Sequence, residues 1–196
     1  MRLIILDRDG VINEDSDAYV KSHEEWHPIP GSLEAIAALS KQGWHIVVAT
    51  NQSGIGRGYY GEAELKGMHD KMDQLLAELG GKVDEIFYCP HHPDENCHCR
   101  KPKLGLFQQI AAHYHIPFPF NSVIPYVGDS YRDLEAAEGA GCLPILVLTG
   151  NGEKTLRRLK EGPNTLENPE AVIVCQSLQE VAQSRAIVSS DVCKLK

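Results

Sequence analysis

The chain is short of positive charge. Lys and Arg number 19 against 27 Asp and Glu, a formal net charge of −8 over 196 residues. No long Lys/Arg run occurs. A nucleic-acid binder draws most of its affinity from neutralising phosphates, so that class is not expected. A small phosphorylated ligand is still open, because one Lys and one or two Arg in a cleft suffice for it. No apolar stretch approaches the ~18 residues of a membrane span. No signal-peptide pattern precedes the first apolar run. We therefore expect a cytoplasmic protein with no membrane partner. Repeats and low-complexity segments are also missing. Disulfides are not expected in a reducing compartment, so the 6 cysteines need another account.

What is present is an ordinary globular composition, 42% hydrophobic and 23% charged, at a length suited to one domain. We expect that domain over 1–187, with 188–196 as a tail. Leu3 to Leu6 is a short continuous apolar run, which reads as a strand buried on both faces of a parallel sheet. Periodicity then alternates. A polar stretch, 13–30, precedes a helix through Leu33, Ile36, Ala37 and Leu39, stopped by Gly43. A second strand runs from Trp44 to Ala49. A long amphipathic helix spans Glu62 to Leu79, and a third strand Val83 to Tyr88. Residues 89–103 form a Cys/His/Pro-rich loop. A helix follows through Leu106, Phe107, Ile110 and Ala111. Val123 to Val127 is a fourth strand, followed by a helix from Asp133 to Ala140. Ile145 to Leu148 is a fifth strand, Thr155 to Lys160 a helix, and Ala171 to Val174 a sixth strand. Ser177 is the expected cap of a last helix ending near Ser184. Alternating strands and helices mean right-handed crossovers and an α/β, three-layer Rossmann-like parallel sheet with helices on both faces. A strand order of 3-2-1-4-5 would make strands one and four neighbours at the topological switch point.

That order brings Asp7 and Asp9 beside Asp129, at the sheet edge where ligands bind in open α/β sheets. Three like charges are unfavourable together without a cation, and hard oxygen ligands suit Mg²⁺. One Asp can attack phosphorus and a second can move the proton; Asp7, at the strand end, is the better nucleophile and Asp9 the better acid/base. Asp133 is open between a support for the metal site and a helix N-terminal acid held by the dipole. The turn Thr50-Asn51-Gln52-Ser53-Gly54 is suited to hold an anion. Arg100-Lys101-Pro102-Lys103 supplies cations, or is a solvated loop. Cys89, His91, Cys97 and Cys99 suit a closed, structural tetrahedral Zn²⁺ site, with His92 and His98 as alternative imidazoles. Such a site would fix the loop and so hold Arg100 and Lys101. Cys142 and Cys175 lie in apolar surroundings and Cys193 in the polar tail. His23, His27, His45, His69, His113 and His115 carry no spacing signal.

Four motifs, Asp7-Arg-Asp9-Gly-Val-Ile-Asn13, Thr50-Asn-Gln-Ser, Lys101 and Gly128-Asp129, together resemble the haloacid dehalogenase superfamily of phosphatases over about residues 1–150. The zinc loop followed by Cys-Arg-Lys-Pro is similar to a narrow branch holding D-glycero-D-manno-heptose 1,7-bisphosphate 7-phosphatases and histidinol-phosphate phosphatases. The runs Thr50 to Gly58 and Tyr88 to Pro93 resemble the heptose enzymes; the short zinc loop is nearer the histidinol type. Ser130 stands where many heptose relatives have Lys. The resemblance implies Asp7 as nucleophile and Asp9 as general acid/base. It implies Thr50 and Lys101 on the phosphoryl group, and Mg²⁺ on Asp7, Asp129 and the Asp9 backbone carbonyl. It also implies sugar recognition by Arg100, helped by Asp15, Tyr19, Asn51, Gln52, Ser53 and Arg57. No large cap domain is expected, the short loops shaping the pocket instead. The implied activity is removal of the 7-phosphate of a heptose bisphosphate for lipopolysaccharide precursors, by a monomer. Histidinol-phosphate hydrolysis, or a non-catalytic zinc-stabilised binding protein, are the alternatives.

Overall fold

The computed structural model describes residues 1–121 and 124–184. The expected start of strand four at Val123, Cys193 and the tail lie outside them.

β1 (Arg2–Leu6) sits inside the sheet, and its side chains alternate between two cores. Ile4 and Leu6 join one face, packed on α1 (Ser32–Lys41), α3 (Glu62–Glu78) and α7 (Leu178–Gln183). Leu3 and Ile5 join the other, packed on α4 (Gly105–Tyr114) and α5 (Tyr131–Ala140). This explains the unbroken apolar run: with no wet face, period-2 alternation has no polar partner. Each fully buried Ile or Leu contributes about 2 kcal/mol. β2 (Trp44–Asn51) divides in the same way, Ile46 and Val48 to one core, Val47 and Ala49 to the other.

The remaining strands are β3 (Glu85–Cys89), β4 (Pro125–Gly128), β5 (Leu143–Val147) and β6 (Ile173–Cys175). They complete an all-parallel sheet of order β3-β2-β1-β4-β5-β6. β1 and β4 are neighbours, with Leu6 opposite Val127, as the topological argument requires. Among the described residues no insertion forms a separate cap.

Boundaries moved where side chains intervene. β3 starts at Glu85, not Val83, because the Asp84 carboxylate accepts the Ile46 N–H at 2.8 Å in place of a strand bond. β6 starts at Ile173, after a 3₁₀ turn at Pro169–Ala171. Helix α6 covers Gly152–Glu161, longer than the apolar pattern alone marks. Ser177 holds the N-cap position of α7, but its side chain makes no cap bond; Glu180 instead accepts the Gln176 N–H at 2.5 Å. The polar stretch 13–30 carries two core residues, Val20 and Trp26. A one-turn helix α2, Ser53–Gly56, follows β2 and was not visible in the periodicity.

Candidate active site

β1, β2 and β4 end side by side and deliver Asp7, Thr50 and Asp129 to one edge. The Asp7 N–H donates to Val127 O at 2.8 Å, which fixes the residue where β1 parts from β4. Gly10 then turns the chain with φ +78°, and a Cβ there would overlap the Asp129 carboxylate. Gly150, φ +56°, would carry its Cβ into the same carboxylate and to 2.6 Å from Gly10 Cα. Asp129 is thus clasped between two glycines that no other residue can replace without strain. Asp129 Oδ2 accepts the Asn151 N–H at 2.7 Å.

Lys101 is the buried cation of the site. Its Nζ lies 2.9 Å from Asp7 Oδ1 and 2.8 Å from Asp133 Oδ1, and donates to the Tyr126 hydroxyl at 2.8 Å. Tyr126 passes its own proton to Asp133 Oδ1 at 2.7 Å. The Asn51 side chain holds the Lys101 backbone at both ends, accepting its N–H at 3.0 Å and donating to its carbonyl at 3.2 Å. Burial alone would lower the Lys101 pKa, but Asp133 and Asp7 outweigh it and raise it. Lys101 therefore stays charged.

Asp7, Asp129 and Asp133 present carboxylate oxygens all within 4.8 Å of one another. Burial first, then the neighbouring acids, push Asp7 up to about 7 and Asp129 up to about 8. These are groups that want a divalent cation to balance them, and the donor set is the hard-oxygen one that fits Mg²⁺. Asp133 is a poorer ligand than its position suggests. Besides Lys101 and Tyr126, it accepts the Ser130 N–H at 3.0 Å and the Ser130 hydroxyl. It is both the N-terminal acid of α5 and the counter-charge of Lys101, so the two sequence readings of Asp133 join. Ser130 spends its side chain on this support.

The Asp9 carboxylate is not in that cluster, a correction to the expected trio. It turns to Arg8, whose Nη2 lies 2.8 Å from Oδ1. Asn13 Nδ2 donates to Oδ1 at 2.9 Å, and Gln52 Nε2 donates to Oδ2 at 2.8 Å and to Thr50 Oγ1 at 2.9 Å. Burial would raise the Asp9 pKa, but Arg8 and these donors hold it below the usual carboxylate range. In this position Asp9 is an ionised base. Its side chain must leave Arg8 to give a proton to a leaving oxygen.

A cleft of about 390 Å³ opens over the cluster. Every residue expected to bind substrate lines it: Asp15, Tyr19, Asn51, Gln52, Ser53, Arg57 and Arg100. Arg132 and Asn151 line it too and carried no sequence signal. Tyr126, Tyr60 (whose hydroxyl donates to Gln52 Oε1 at 2.5 Å) and buried Arg8 support the site. All three read as plain strand or loop residues until the fold is known. Lys103 is not part of it; its ammonium holds the zinc loop through the carbonyls of Asn96 and Cys97, at 2.9 Å each.

Cys89, His91, Cys97 and Cys99 converge at the foot of the same loop. Cys89 Sγ lies 3.5 Å from Cys97 Sγ, Cys97 Sγ 3.6 Å from Cys99 Sγ, and Cys99 Sγ 3.2 Å from His91 Nδ1. A tetrahedral zinc with ~2.3 Å Zn–S bonds puts sulfurs about 3.8 Å apart, so the cage is of zinc size. His92 is excluded, since its Nδ1 accepts the Asp94 N–H at 3.2 Å; His98 is not in the cluster. The loop is tied to the phosphate-facing turn: Gln52 N–H donates to Cys89 O and Gly56 N–H to Pro90 O, both at 2.8 Å.

Two family models match the chain, "Polynucleotide kinase 3 phosphatase" over residues 2–139 and "HAD-hydrolase-like" over residues 98–181. A curated relative from Bordetella bronchiseptica, named D-glycero-beta-D-manno-heptose-1,7-bisphosphate 7-phosphatase, is 54% identical over 182 residues, 92% of this chain and 99% of its own. A Pseudomonas putida protein of the same name is 54% identical over 183 residues, 93% and 98% of the two chains. The crystal structure of the B. bronchiseptica D,D-heptose 1,7-bisphosphate phosphatase with magnesium and phosphate superposes with a TM-score of 0.88 at 51% identity, over 97% of this chain and 100% of that one. The Burkholderia thailandensis enzyme gives 0.71 at 39% identity, over 97% and 100%.

Proposed function

Since this chain belongs to the D-glycero-D-manno-heptose-1,7-bisphosphate 7-phosphatase family of haloacid dehalogenase-like hydrolases, we propose that it removes the 7-phosphate of a D-glycero-D-manno-heptose 1,7-bisphosphate. The observation that carries this is the meeting of Asp7, Thr50, Lys101 and Asp129 under a cleft lined by all the expected sugar-facing residues, in a chain so close to named heptose phosphatases.

Asp7 attacks phosphorus through a carboxylate oxygen, forming an acyl-phosphate bond as the bond to the sugar oxygen breaks. Asp9, once it has left Arg8 and taken up a proton from solvent, gives that proton to the leaving oxygen, and as the carboxylate so formed it takes one from the water that cleaves the acyl-phosphate and releases phosphate. Lys101 Nζ and the Thr50 hydroxyl donate to the phosphoryl oxygens, whose charge spreads in the transition state. Asp9 then releases this proton to solvent, and Gln52, Asn13 and Arg8 hold the carboxylate again. Mg²⁺, held by Asp7, Asp129 and the Asp9 carbonyl, supplies charge neutralisation for the incoming phosphate. Arg57 and Arg100 meet the rest of the sugar phosphate, together with Asp15 and Tyr19, which line the same cleft.

The wider setting we propose is a monomer in the cytoplasm feeding lipopolysaccharide precursor synthesis. Among the described residues no helix is long and apolar enough to cross a membrane, and the net charge of −8 disfavours nucleic acid as a partner. The test of the chemistry is Asp7→Asn. We expect phosphate release to fall at least about 10³-fold, with loss of the acid-stable phosphoryl adduct seen by mass spectrometry; survival of turnover would overturn the assignment.

A further inference from the structure

The cleft wall holds more positive charge than the reaction at Asp7 uses. Arg8 is spent on Asp9 and Gln52. Arg100 and Arg132 also line the cleft, and among the described residues neither takes part in an ion pair. Arg100 Nη1 is buried with no hydrogen-bond partner. Of the charged groups around Arg100, Arg132 acts on it most strongly, and the two repel. A buried guanidinium nitrogen without an acceptor is costly. A second cation facing it adds to that cost. An anion held by both would give the orphaned Arg100 Nη1 an acceptor and remove the repulsion between the two guanidiniums.

Local structure explains why Arg132 faces the cleft. It is the second residue of α5. Tyr131 before it is buried in a third apolar cluster with Leu134, Leu146 and Leu166, its hydroxyl donating to Asn164 Oδ1 at 2.6 Å. Asp133 after it turns inward to Lys101. Successive helical positions diverge by about 100°, which leaves Arg132 exposed at the mouth between them. Each Arg is also joined by backbone to the phosphoryl site: Arg100 precedes Lys101, and Arg132 lies three residues after Asp129. An anion held by the pair therefore sits at a fixed span from the phosphoryl group held by Lys101. The cleft, about 390 Å³, leaves room for one sugar between the two.

We propose that Arg132 acts with Arg100 as the receptor for a second phosphoryl group, the one that is not cleaved, and that Arg132 sets the preference for doubly over singly phosphorylated sugars. This rests on the phosphatase reading above. Two planar guanidiniums can clamp a phosphate bidentately, which Lys cannot.

The experiment compares wild type, Arg132→Gln and Arg132→Lys on D-glycero-D-manno-heptose 1,7-bisphosphate and on the 7-monophosphate of the same sugar. For Arg132→Gln, kcat/KM on the bisphosphate is expected to fall about 10- to 100-fold, mostly in KM. On the monophosphate it should change less than about twofold, and Arg132→Lys should fall between. Equal losses on the two substrates, or no loss on either, would overturn the inference. If wild type cleaves neither heptose ester, the proposed function has failed, and calorimetric binding of fructose 1,6-bisphosphate against fructose 6-phosphate decides the inference alone. A bisphosphate preference that Arg132→Gln removes supports it; no preference in wild type overturns it.

Discussion

Lys101 Nζ sits 2.8 Å from Asp133 Oδ1, in a pair whose two side chains are each 1% exposed. Asp133 is bound to Lys101, Tyr126 and Ser130 at once, so it holds the ammonium against Asp7. It also explains why Asp133, although within metal reach, is a positioning residue. Leaving a buried charge unpaired costs about 3–5 kcal/mol; Asp7, 2.9 Å from the same ammonium, keeps the loss at the low end of that range. Asp133→Asn is therefore expected to lower unfolding free energy by about 3 kcal/mol in urea titrations and to cut kcat far more than it raises KM. A variant of normal stability and kcat would show that Asp7 alone suffices to place Lys101.

Acidity changes give a second test. Burial, with neighbouring acids, raises Asp7 to about 7 and Asp129 to about 8 from the ordinary carboxylate value of 3.8. The folded metal-free chain thus binds more protons than the unfolded one between those limits. Its stability should be greatest below about pH 4 as far as these two groups are concerned, and should fall as pH rises through about 8. Metal binding must displace those protons, so Mg²⁺ affinity should rise over the same interval. Thermal melts without Mg²⁺ and in excess Mg²⁺, with zinc retained in both, should converge at low pH and separate above about pH 7. Parallel curves would refute the coupling.

Gly150 offers a steric test at the metal end. At φ +56° its Cβ would collide with the Asp129 carboxylate and crowd Gly10 Cα. Gly150→Ala should raise the Mg²⁺ concentration needed for half-maximal activity at least about tenfold, while the circular-dichroism spectrum is kept. Gly43, also at positive φ but with open space around it, is the control, expected to leave the Mg²⁺ requirement alone.

Zinc is testable directly. Metal analysis should return one zinc per chain. Cys97→Ser should lower the melting temperature and reduce activity through displacement of Arg100 and Lys101, which follow Cys99 without a break. A zinc-free Cys97→Ser protein with unaltered melting and kcat would show that the cage is not structural.

Substrate choice within the branch needs only kinetics. Heptose bisphosphate is expected to exceed histidinol phosphate in kcat/KM by at least about 100-fold. The reverse order would favour the runner-up enzyme.

Much of the site could be read from the chain because its residues sit at forced positions. A buried strand must end somewhere, and Asp7 and Asp129 mark the ends of two strands that a right-handed parallel topology makes neighbours. Close spacing named the four residues that form the Cys/His cage, since 3 thiols lie with imidazoles within Cys89 to Cys99. Spacing favoured His91 but left His92 and His98 as alternatives, because the direction the loop gives each imidazole decides which enters the cage.

The sequence by itself determined the alternation of strands and helices, the carboxylates at the sheet edge and the cysteine cage. Each follows from local periodicity or short-range spacing. Only the tertiary structure decided where side chains separated by tens of residues point. It turned Asp9 towards Gln52, placed Asp133 against Lys101, and put Arg132 in the same cleft as Arg100. Those are juxtapositions of distant segments, and one-dimensional order carries no information on the rotation of a side chain about its own backbone.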